Sequence, residues 1–196
     1  MARLHGRTVA RRDRFAGQFD SVLAAAQAGQ PWALERIFTA LSPVVEGYLR
    51  LQGASEPEDL TSEAFVAVLR NLGRFAGDEA GFRSWVFTIA HRRLLDERRR
   101  ISRRAPTEPL TEALDAPAPD DVADLVERSL GAERVRRLCA GLRPDQRDVL
   151  LLRLLGRLSI DEVAAMLGKT PGAVKALQRR GFLAVARALE REGVPL

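Results

Sequence analysis

Apolar side chains recur every three or four residues along the first half of the chain. The repeating positions are Leu34, Ile37, Leu41, Val44 and Tyr48 in residues 33–51, and Leu60, Ala64, Val68 and Leu72 in residues 58–72. This spacing lines one face of an α-helix, whereas the faces of a strand alternate at every second residue. The pattern therefore predicts two amphipathic helices that bury these positions.

A third helix is predicted where aromatic and basic residues are concentrated. Four aromatic residues, Phe75, Phe82, Trp85 and Phe87, precede or begin the segment FRSWVFTIAHRRLLDERRR. Aromatic rings beside arginines are typical of surfaces that bind single-stranded nucleic acid, because bases stack on the rings and guanidinium groups follow the phosphates. Such rings also suit an ordinary core, and the pattern leaves Trp85 open to either role. Helical spacing predicts an inner face of Phe82, Val86 and Ile89, and an outer face of Ser84, Thr88, His91 and Arg98 with Arg92 at its side.

The segment LGKTPGAVKALQRRG, residues 167–181, indicates a tight turn between two helices. Ser159 and Glu162 stand at the spacing of a capping box, which begins the first helix. Gly168 suits the left-handed residue that ends it. Thr170 and Pro171 suit the cap and the first turn of the second helix. Helix, tight turn and helix is the arrangement that reads the major groove of DNA.

The second helix of this pair has two distinct faces. Its inner face is predicted to carry Val174, Leu177, Gly181, Val185 and Ala188. The outer face carries Gly172, Ala176, Arg179, Leu183 and Arg187, flanked by Ala173, Arg180 and Lys175. Small residues let a helix approach a groove closely, and arginines pair with phosphates or guanine edges. A basic helix face is also common on a merely solvated surface, so this pattern alone leaves both readings open.

The charge of the chain is unevenly distributed. The formal net charge is +5 and the isoelectric point about 10.5, which favours a polyanionic partner. Residues 105–130 nevertheless hold seven carboxylates, one arginine and four prolines. Prolines break helices, so we predict an extended or mobile acidic linker there, between a domain at 19–104 and another at 131–192. The first 18 residues are predicted to form a flexible basic arm.

Several classes of function are disfavoured by composition. One cysteine and two histidines give no pattern for a disulfide, a metal site or a bound cofactor. No carboxylate–histidine pair or activated nucleophile is recognisable, so we predict that the chain is not an enzyme. No apolar run approaches the length of a membrane span, and the N-terminus has no signal-peptide core. These observations predict a cytoplasmic protein without membrane insertion.

Three blocks of the sequence resemble a bacterial RNA polymerase sigma factor of the extracytoplasmic-function (ECF) type, in the sigma-70 family. EDLTSEAFVAVLRNLGRF resembles region 2.2, and GFRSWVFTIAHRRLLDERRR resembles regions 2.3 and 2.4. LRPDQRDVLLLRLLGRLSIDEVAAMLGKTPGAVKALQRR resembles region 4. The similarity covers about residues 30–104 and 133–190. It implies an all-α protein with a region 2-like helical bundle and a region 4-like helix-turn-helix domain, joined by a flexible linker.

The resemblance also implies three sets of site residues. Core polymerase would be bound by Asp59, Ser62, Glu63, Val66, Leu69 and Arg70. The minus-ten promoter element would be recognised and melted by Arg74, Phe75, Arg83, Trp85, Thr88, His91 and Arg92. The minus-thirty-five element would be read by Thr170, Gly172, Ala173, Lys175, Ala176, Arg179 and Arg180.

The partners implied by the family are core RNA polymerase, through its beta-prime clamp and beta flap, promoter DNA and an anti-sigma factor. The sequence departs from the family at Ser62, where glutamine is frequent, and at His91 and Arg92, where arginine and asparagine are frequent. Leu177 and Gln178 likewise replace a frequent pair of an arginine and an apolar residue.

Two choices remain open at the level of sequence. The alternative function is a free-standing helix-turn-helix regulator whose N-terminal domain senses a signal or dimerises. The acidic linker is compatible with mimicry of nucleic acid inside a polymerase channel and equally with simple solubility.

Overall fold

The computed structural model describes Phe15, residues 17–104 and residues 122–193, and every regular element in these parts is helical. This confirms the all-α prediction. The predicted arm before Phe15 and linker residues 105–121 lie outside the described residues. The helices are α1 (Phe19–Gln27), α2 (Pro31–Leu51), α3 (Pro57–Asn71), α4 (Glu79–Arg104), α5 (Val122–Ala140), α6 (Pro144–Leu154), α7 (Ile160–Leu167) and α8 (Pro171–Arg191), with a short 3-10 turn at Leu72–Arg74.

The N-terminal bundle consists of α1 to α4. Proline occupies the first turn of α2 and of α3, where its missing N–H has no helical partner to lose. The predicted inner stripe of α3 is confirmed, since Leu60, Ala64 and Val68 are buried. In α2 the buried stripe is turned slightly from the predicted one, because Val45 rather than Val44 is fully buried. Helix α1, which the sequence pattern did not predict, adds Phe19, Val22, Leu23 and Ala26 to the core.

The C-terminal helices begin and end as their local signals predict. Ser159 Oγ accepts from the Glu162 amide at 3.1 Å, and the Ser159 amide donates to Glu162 Oε2 at 2.7 Å, which completes the capping box. Gly168 ends α7 with φ 62° and ψ 34°, a left-handed conformation that favours glycine. Thr170 Oγ1 accepts from the Ala173 amide at 3.2 Å and caps α8.

Helix α5 begins at Val122, so residues 122–130, which the sequence assigns to the linker, are the first half of this helix. The last of the four linker prolines is Pro119, and no proline follows until Pro144. The chain is therefore free to form a helix from Val122 onward. At its other end α5 is held against α8 by an ion pair between Arg134 Nε and Glu192 Oε2 at 2.8 Å.

The two predicted domains contact one another through α6 and the turn that follows it. Leu152 and Leu158 belong to the same buried cluster as Phe87 of α4. The turn approaches α4 so closely that a Cβ on Gly156 would lie 3.3 Å from Phe87 Cδ1 and 2.6 Å from the Leu152 carbonyl oxygen. One continuous apolar cluster therefore spans both halves of the chain.

No helix in the described part of the chain combines the length and the apolar character that crossing a membrane requires.

Helices α6 and α8 are in close contact at Gly181, so a larger side chain there should affect stability. A Cβ on Gly181 would lie 2.8 Å from Cδ1 of Leu150, a buried side chain. We expect Gly181→Val to destabilise the protein by about 1–3 kcal/mol, because the extra atoms overpack this contact. Thermal unfolding followed by circular dichroism measures the change.

The matched control on the same helix is Gly172→Ala, because a Cβ there meets nothing within 4 Å. Alanine favours a helix over glycine by about 0.5–1 kcal/mol, so this variant should be as stable as the wild type or slightly more stable. A Gly181→Val melting temperature equal to that of the wild type would contradict the close packing of α6 and α8.

Candidate nucleic-acid and polymerase interfaces

The outer face of α3 forms the first candidate surface. The six residues predicted to bind core polymerase are all exposed on it: Asp59, Ser62, Glu63, Val66, Leu69 and Arg70. We call them the docking face. Val66 is 46% exposed and Leu69 43%, although both are apolar and stand among charged neighbours. The buried residues Leu60, Ala64 and Val68 hold this helix from behind.

Phe38 of α2 is a further exposed apolar residue that the sequence pattern missed. It is 44% exposed, and its ring meets the edge of Phe65 of α3 at a centroid distance of 4.9 Å. Phe38 lies next to Ile37 in sequence but falls outside the predicted stripe of α2. Its position outside the buried stripe of α2 was the one feature of the sequence that could have indicated its exposure.

The second candidate surface is a groove beside the start of α4. It has a volume of about 500 Å³ and is lined by Asn71, Arg74, Phe75, Ala76, Trp85, Ile89 and Arg92. We call it the aromatic groove. Trp85 stacks on Phe75 with ring centroids 5.2 Å apart and an angle of 30° between the planes. The ring of Trp85 is half-buried against the core and also lines the groove, so its position is compatible with both of the roles that the sequence left open.

Contacts from other elements hold the groove in shape. Gln27 Nε2 of α1 donates to the carbonyl oxygens of Leu72 at 3.0 Å and of Phe75 at 2.8 Å. Gly77 has a φ of 153°, and a Cβ there would lie 3.1 Å from Phe75 Cζ. The groove thus depends on a glycine backbone conformation and on an amide from another helix.

Four of the seven predicted minus-ten residues, Arg74, Phe75, Trp85 and Arg92, line the aromatic groove. Asn71 and Ile89 also line the groove, although the predicted minus-ten set does not include them. Ile89 was predicted to face the core. Thr88 is half-buried, and its hydroxyl donates to the Ser84 carbonyl oxygen at 2.8 Å. The side chain of Arg83 is only 13% exposed and pairs with Glu79 at 2.5 Å within α4.

The prediction that His91 lies on the outer face of α4 is wrong. His91 is 4% exposed, and its Nδ1 lies 2.7 Å from the hydroxyl oxygen of Tyr48. Burial lowers the pKa of His91, opposed by the Asp148 carboxylate and reinforced by the Arg98 guanidinium. Burial is likewise the main cause that raises the pKa of Tyr48. Both groups are therefore neutral at pH 7. Helical spacing placed His91 opposite the α4 core but gave no sign that Tyr48 of α2 contacts it.

The third candidate surface is the outer face of α8. Six of the seven residues predicted to read the minus-thirty-five element are exposed there, and Ala173 is half-exposed. We call this set of Thr170, Gly172, Ala173, Lys175, Ala176, Arg179 and Arg180 the reader face. The space around Gly172 is open. Underneath, Val174 and Gly181 are buried against the rest of the domain.

An apolar groove of about 560 Å³ adjoins the reader face. It is lined by Arg153, Ile160, Lys175, Gln178, Arg179, Phe182 and Leu183. Phe182 is 45% exposed and Leu183 46%. The sequence pattern predicted that Leu183 points outward, but it did not identify Phe182 as an exposed residue. The groove forms only where α7 packs beside α8, and helical spacing within α8 does not show this.

The described residues contain no group of three or more histidine, cysteine or carboxylate side chains placed to hold a metal ion.

Comparisons with known proteins match both halves of the chain. Residues 37–104 match the family profile described as Sigma-70 region 2, and residues 132–185 match Sigma-70, region 4. The ECF RNA polymerase sigma factor BldN of Streptomyces coelicolor is 36% identical over 171 residues, which cover 84% of this chain and 63% of BldN. The ECF sigma factor SigD of Mycobacterium tuberculosis is 33% identical over 174 residues, which cover 84% of this chain and 81% of SigD.

The chain belongs to the ECF sigma factors of RNA polymerase. This ECF sigma factor also shares its fold with CnrH, solved in complex with the cytosolic domain of CnrY. That likeness has a TM-score of 0.62 at 20% identity and covers 87% of this chain and 96% of CnrH. Family membership decides between the two functions that the sequence left open, in favour of the sigma factor over the free-standing regulator.

Buried His91 makes the stability of this ECF sigma factor depend on pH. Its pKa lies below the ordinary value of 6.5, so between the two values the unfolded chain binds a proton that the folded chain does not. Stability is then fully present above pH 6.5 and falls as the pH is lowered. We expect a slope of up to about 1.4 kcal/mol per pH unit from this group. Urea unfolding at pH 5, 6, 7 and 8 measures it.

The control for this prediction is His91→Gln, because an amide can still accept from the Tyr48 hydroxyl but does not titrate. The wild type should lose more stability than the variant between pH 7 and pH 5. Parallel pH profiles of the two proteins would show that His91 does not titrate in this way.

Proposed function

We propose that this protein is the promoter-specificity subunit of RNA polymerase, which directs the core enzyme to its promoters and helps to open them. The observation that carries the proposal is the presence, on one chain, of two surfaces suited to different forms of DNA. The aromatic groove suits separated strands, and the reader face suits a duplex. A regulator that binds only duplex DNA has no use for the groove.

The chemistry of the aromatic groove supports melting of the minus-ten element. A base that leaves the duplex loses its stacking, and an aromatic face replaces that interaction with about 1–3 kcal/mol per base. Trp85 and Phe75 offer such a face. Arg74 and Arg92 at the rim are placed to pair with the phosphates of the same strand. Capture of unpaired bases then shifts the equilibrium towards the open promoter.

The chemistry of the reader face supports recognition of the minus-thirty-five element. Gly172, Ala173 and Ala176 keep the first turns of α8 narrow enough to enter a major groove. Arg179 and Arg180 then reach base edges or phosphates, where arginine makes two parallel hydrogen bonds.

The docking face is our candidate for the beta-prime clamp contact. Exposed Val66 and Leu69 among charged neighbours suit an interface with an apolar centre and a polar rim. We assign the beta flap contact to the C-terminal domain, where the groove around Phe182 and Leu183 supplies exposed apolar surface.

An anti-sigma factor is the proposed regulator. CnrH, which shares this fold, was solved in complex with the cytosolic domain of CnrY. The docking face and the groove at Phe182 would both be exposed to such a partner whenever core polymerase is absent.

The central experiment tests core binding through the docking face. Val66→Asp should reduce core polymerase binding at least tenfold, because it places a carboxylate at the centre of the contact. It spares the buried residues Leu60, Ala64 and Val68, so the fold should be retained. A pull-down with core polymerase and run-off transcription on a promoter library, both compared with the wild type, provide the measurements.

The matched control is Val135→Asp, because Val135 of α5 is 45% exposed against 46% for Val66. This variant should bind core polymerase as the wild type does. Failure of the wild-type chain to bind core polymerase would overturn the proposed function. Normal binding by Val66→Asp would overturn the assignment of the face.

The reader face predicts two different classes of DNA contact. Arg180→Ala should cost about 1–3 kcal/mol of promoter binding by the holoenzyme and relax the preference at one minus-thirty-five position. Lys175→Ala should weaken all promoters about equally and reduce the salt slope by about one, as expected for a single phosphate contact. Holoenzyme binding to a promoter series at several salt concentrations separates the two classes.

Neither variant should lower the melting temperature, because Lys175 and Arg180 are both exposed. Arg136→Ala on α5 removes an exposed arginine far in sequence from the reader face and should leave promoter binding unchanged. If Arg180→Ala and Lys175→Ala both behaved like Arg136→Ala, α8 would be scaffold and not the reader.

A further inference from the structure

A strained residue lies in the turn between α6 and α7. Within the described part of the chain, Arg157 is the one residue other than glycine with a positive φ, at 56°. In this left-handed conformation the Cβ of an L-residue crowds the backbone, whereas glycine has no Cβ and adopts the conformation freely. An arginine here therefore makes the folded protein less stable than a glycine would. The fold by itself gives no reason for this side chain.

The neighbours of Arg157 fix the backbone of the turn. Gly156 and Leu158 are both buried. The Gly156 amide donates to the Leu151 carbonyl oxygen at 3.3 Å, and the Leu158 amide donates to the Leu152 carbonyl oxygen at 3.2 Å. A Cβ on Gly156 would lie 2.6 Å from the same Leu152 oxygen, so the space there admits only glycine. Packing on both sides thus holds Arg157 in the left-handed conformation.

The side chain of Arg157 is available to a ligand. Arg157 is exposed, and among the residues that the structure describes its guanidinium has neither a hydrogen-bond partner nor an ion-pair partner. A guanidinium is always charged at neutral pH and presents donors that match the oxygens of a phosphate or a carboxylate. The ligand expected at this position is therefore an anion.

The contacts of Arg153 place the turn beside the reader face. Its guanidinium donates to the Leu158 carbonyl oxygen and, through Nε, to Gln178 Oε1 of α8 at 3.3 Å. Gln178 is one turn of helix from Lys175, and both line the groove of about 560 Å³ between α7 and α8. Because Leu158 follows Arg157 directly, the exposed Arg157 lies at the Lys175 side of the reader face.

The dimensions of duplex DNA bring a phosphate strand to that side. An α-helix with its side chains is about 10–12 Å across, and the major groove is about 12 Å wide. A helix in the groove fills it, so the elements beside the helix meet the two sugar–phosphate strands that border the groove. Lys175 is our candidate for a phosphate contact at one border. The turn that carries Arg157 lies at the same border.

We propose that Arg157 binds a phosphate of the minus-thirty-five duplex, on the same strand as the phosphate bound by Lys175. The left-handed backbone of Arg157 is the stability cost of placing a guanidinium at this point of the turn. The phosphate contact rests on the proposed function, whereas the backbone strain does not.

The decisive variant is Arg157→Gly, which removes the guanidinium and relieves the backbone. The melting temperature of the free protein should rise by about 1–4 °C. Promoter binding by the holoenzyme should weaken about three- to tenfold, and the salt slope should fall by about one, as for the loss of a single phosphate contact. Thermal unfolding followed by circular dichroism and holoenzyme binding at several salt concentrations provide the measurements.

Two further variants isolate the contact. Arg157→Lys keeps both the positive charge and the strained backbone, so its melting temperature and salt slope should match those of the wild type. Arg191→Ala removes one exposed charge at the far end of α8 and should leave the salt slope unchanged. A slope lowered equally by Arg191→Ala and Arg157→Gly would show an effect of net charge and overturn the contact.

The phosphate itself is located with uncharged methylphosphonates, placed one at a time along the minus-thirty-five duplex. At one position, replacement should weaken wild-type binding about threefold and leave Arg157→Gly unaffected, because that variant has already lost the contact. The position should lie on the strand where Lys175→Ala shows the same behaviour. Equal weakening of the wild type and Arg157→Gly at every position would overturn the assignment.

The remaining outcomes separate this proposal from the proposed function. If the wild-type holoenzyme binds promoters and Arg157→Gly binds them equally well with the same slope, the phosphate contact is wrong and the proposed function is untouched. If the wild-type chain does not bind core polymerase, the proposed function and the contact fail together, and the melting temperature still tests the strain. A melting temperature of Arg157→Gly at or below that of the wild type would overturn the strain.

Discussion

The burial of one face of α4 is the contact on which the other features of the N-terminal domain depend. Phe82, Val86, Phe87, Ala90 and Leu94 are all fully buried. Each large side chain among them contributes about 1.5–3 kcal/mol when it leaves water, which outweighs any preference of the exposed residues. With that face fixed against α2 and α3, Trp85 and Arg92 must point to the side where the aromatic groove lies.

The two surfaces that we propose for DNA, the aromatic groove and the reader face, are built in different ways. The aromatic groove is made by a loop and a helix start, and its shape depends on a hydrogen-bonded loop backbone. The reader face is one side of a single helix, held from behind by Val174 and by the close approach of Gly181 to Leu150. A concave aromatic site accepts splayed bases, whereas a narrow convex helix enters an intact groove. The two surfaces therefore suit the different DNA roles that we propose for the two domains, strand separation and duplex reading.

The contact between the domains follows a different rule from the two cores. The cores bury apolar side chains, whose packing is favourable in many similar arrangements. Where α6 meets the N-terminal domain, the phenol of Tyr48, the amide of Gln52 and the imidazole of His91 are buried together, and each needs a partner in a particular direction. Buried polar side chains of this kind form their hydrogen bonds in only one register of the packed helices. Once exposed, the same side chains can be hydrated by water.

The sequence by itself determined most of the helices, the caps of α7 and α8, and the family. A capping box, a left-handed glycine and a proline in a first turn each act within about four residues, so Ser159, Gly168 and Pro171 carried their own signals. Helical spacing also assigned the buried side of α3 and the exposed side of α8 correctly, since those helices each have one apolar face. The order of the region 2-like and region 4-like blocks was equally visible, because it is a property of the chain.

Only the tertiary structure decided which polar residues are covered. His91 stands on a polar side of α4 in the sequence pattern, yet it is buried, and its Nδ1 lies 2.7 Å from the hydroxyl oxygen of Tyr48 in α2. Phe38 and Phe182 are aromatic and still about half exposed, because the neighbouring helices cover only part of each ring. The helical start of α5 was also missed, because four nearby prolines dominate the local composition. For His91 the deciding contact joins distant parts of the chain, and a pattern read over a few turns of helix contains no information about it.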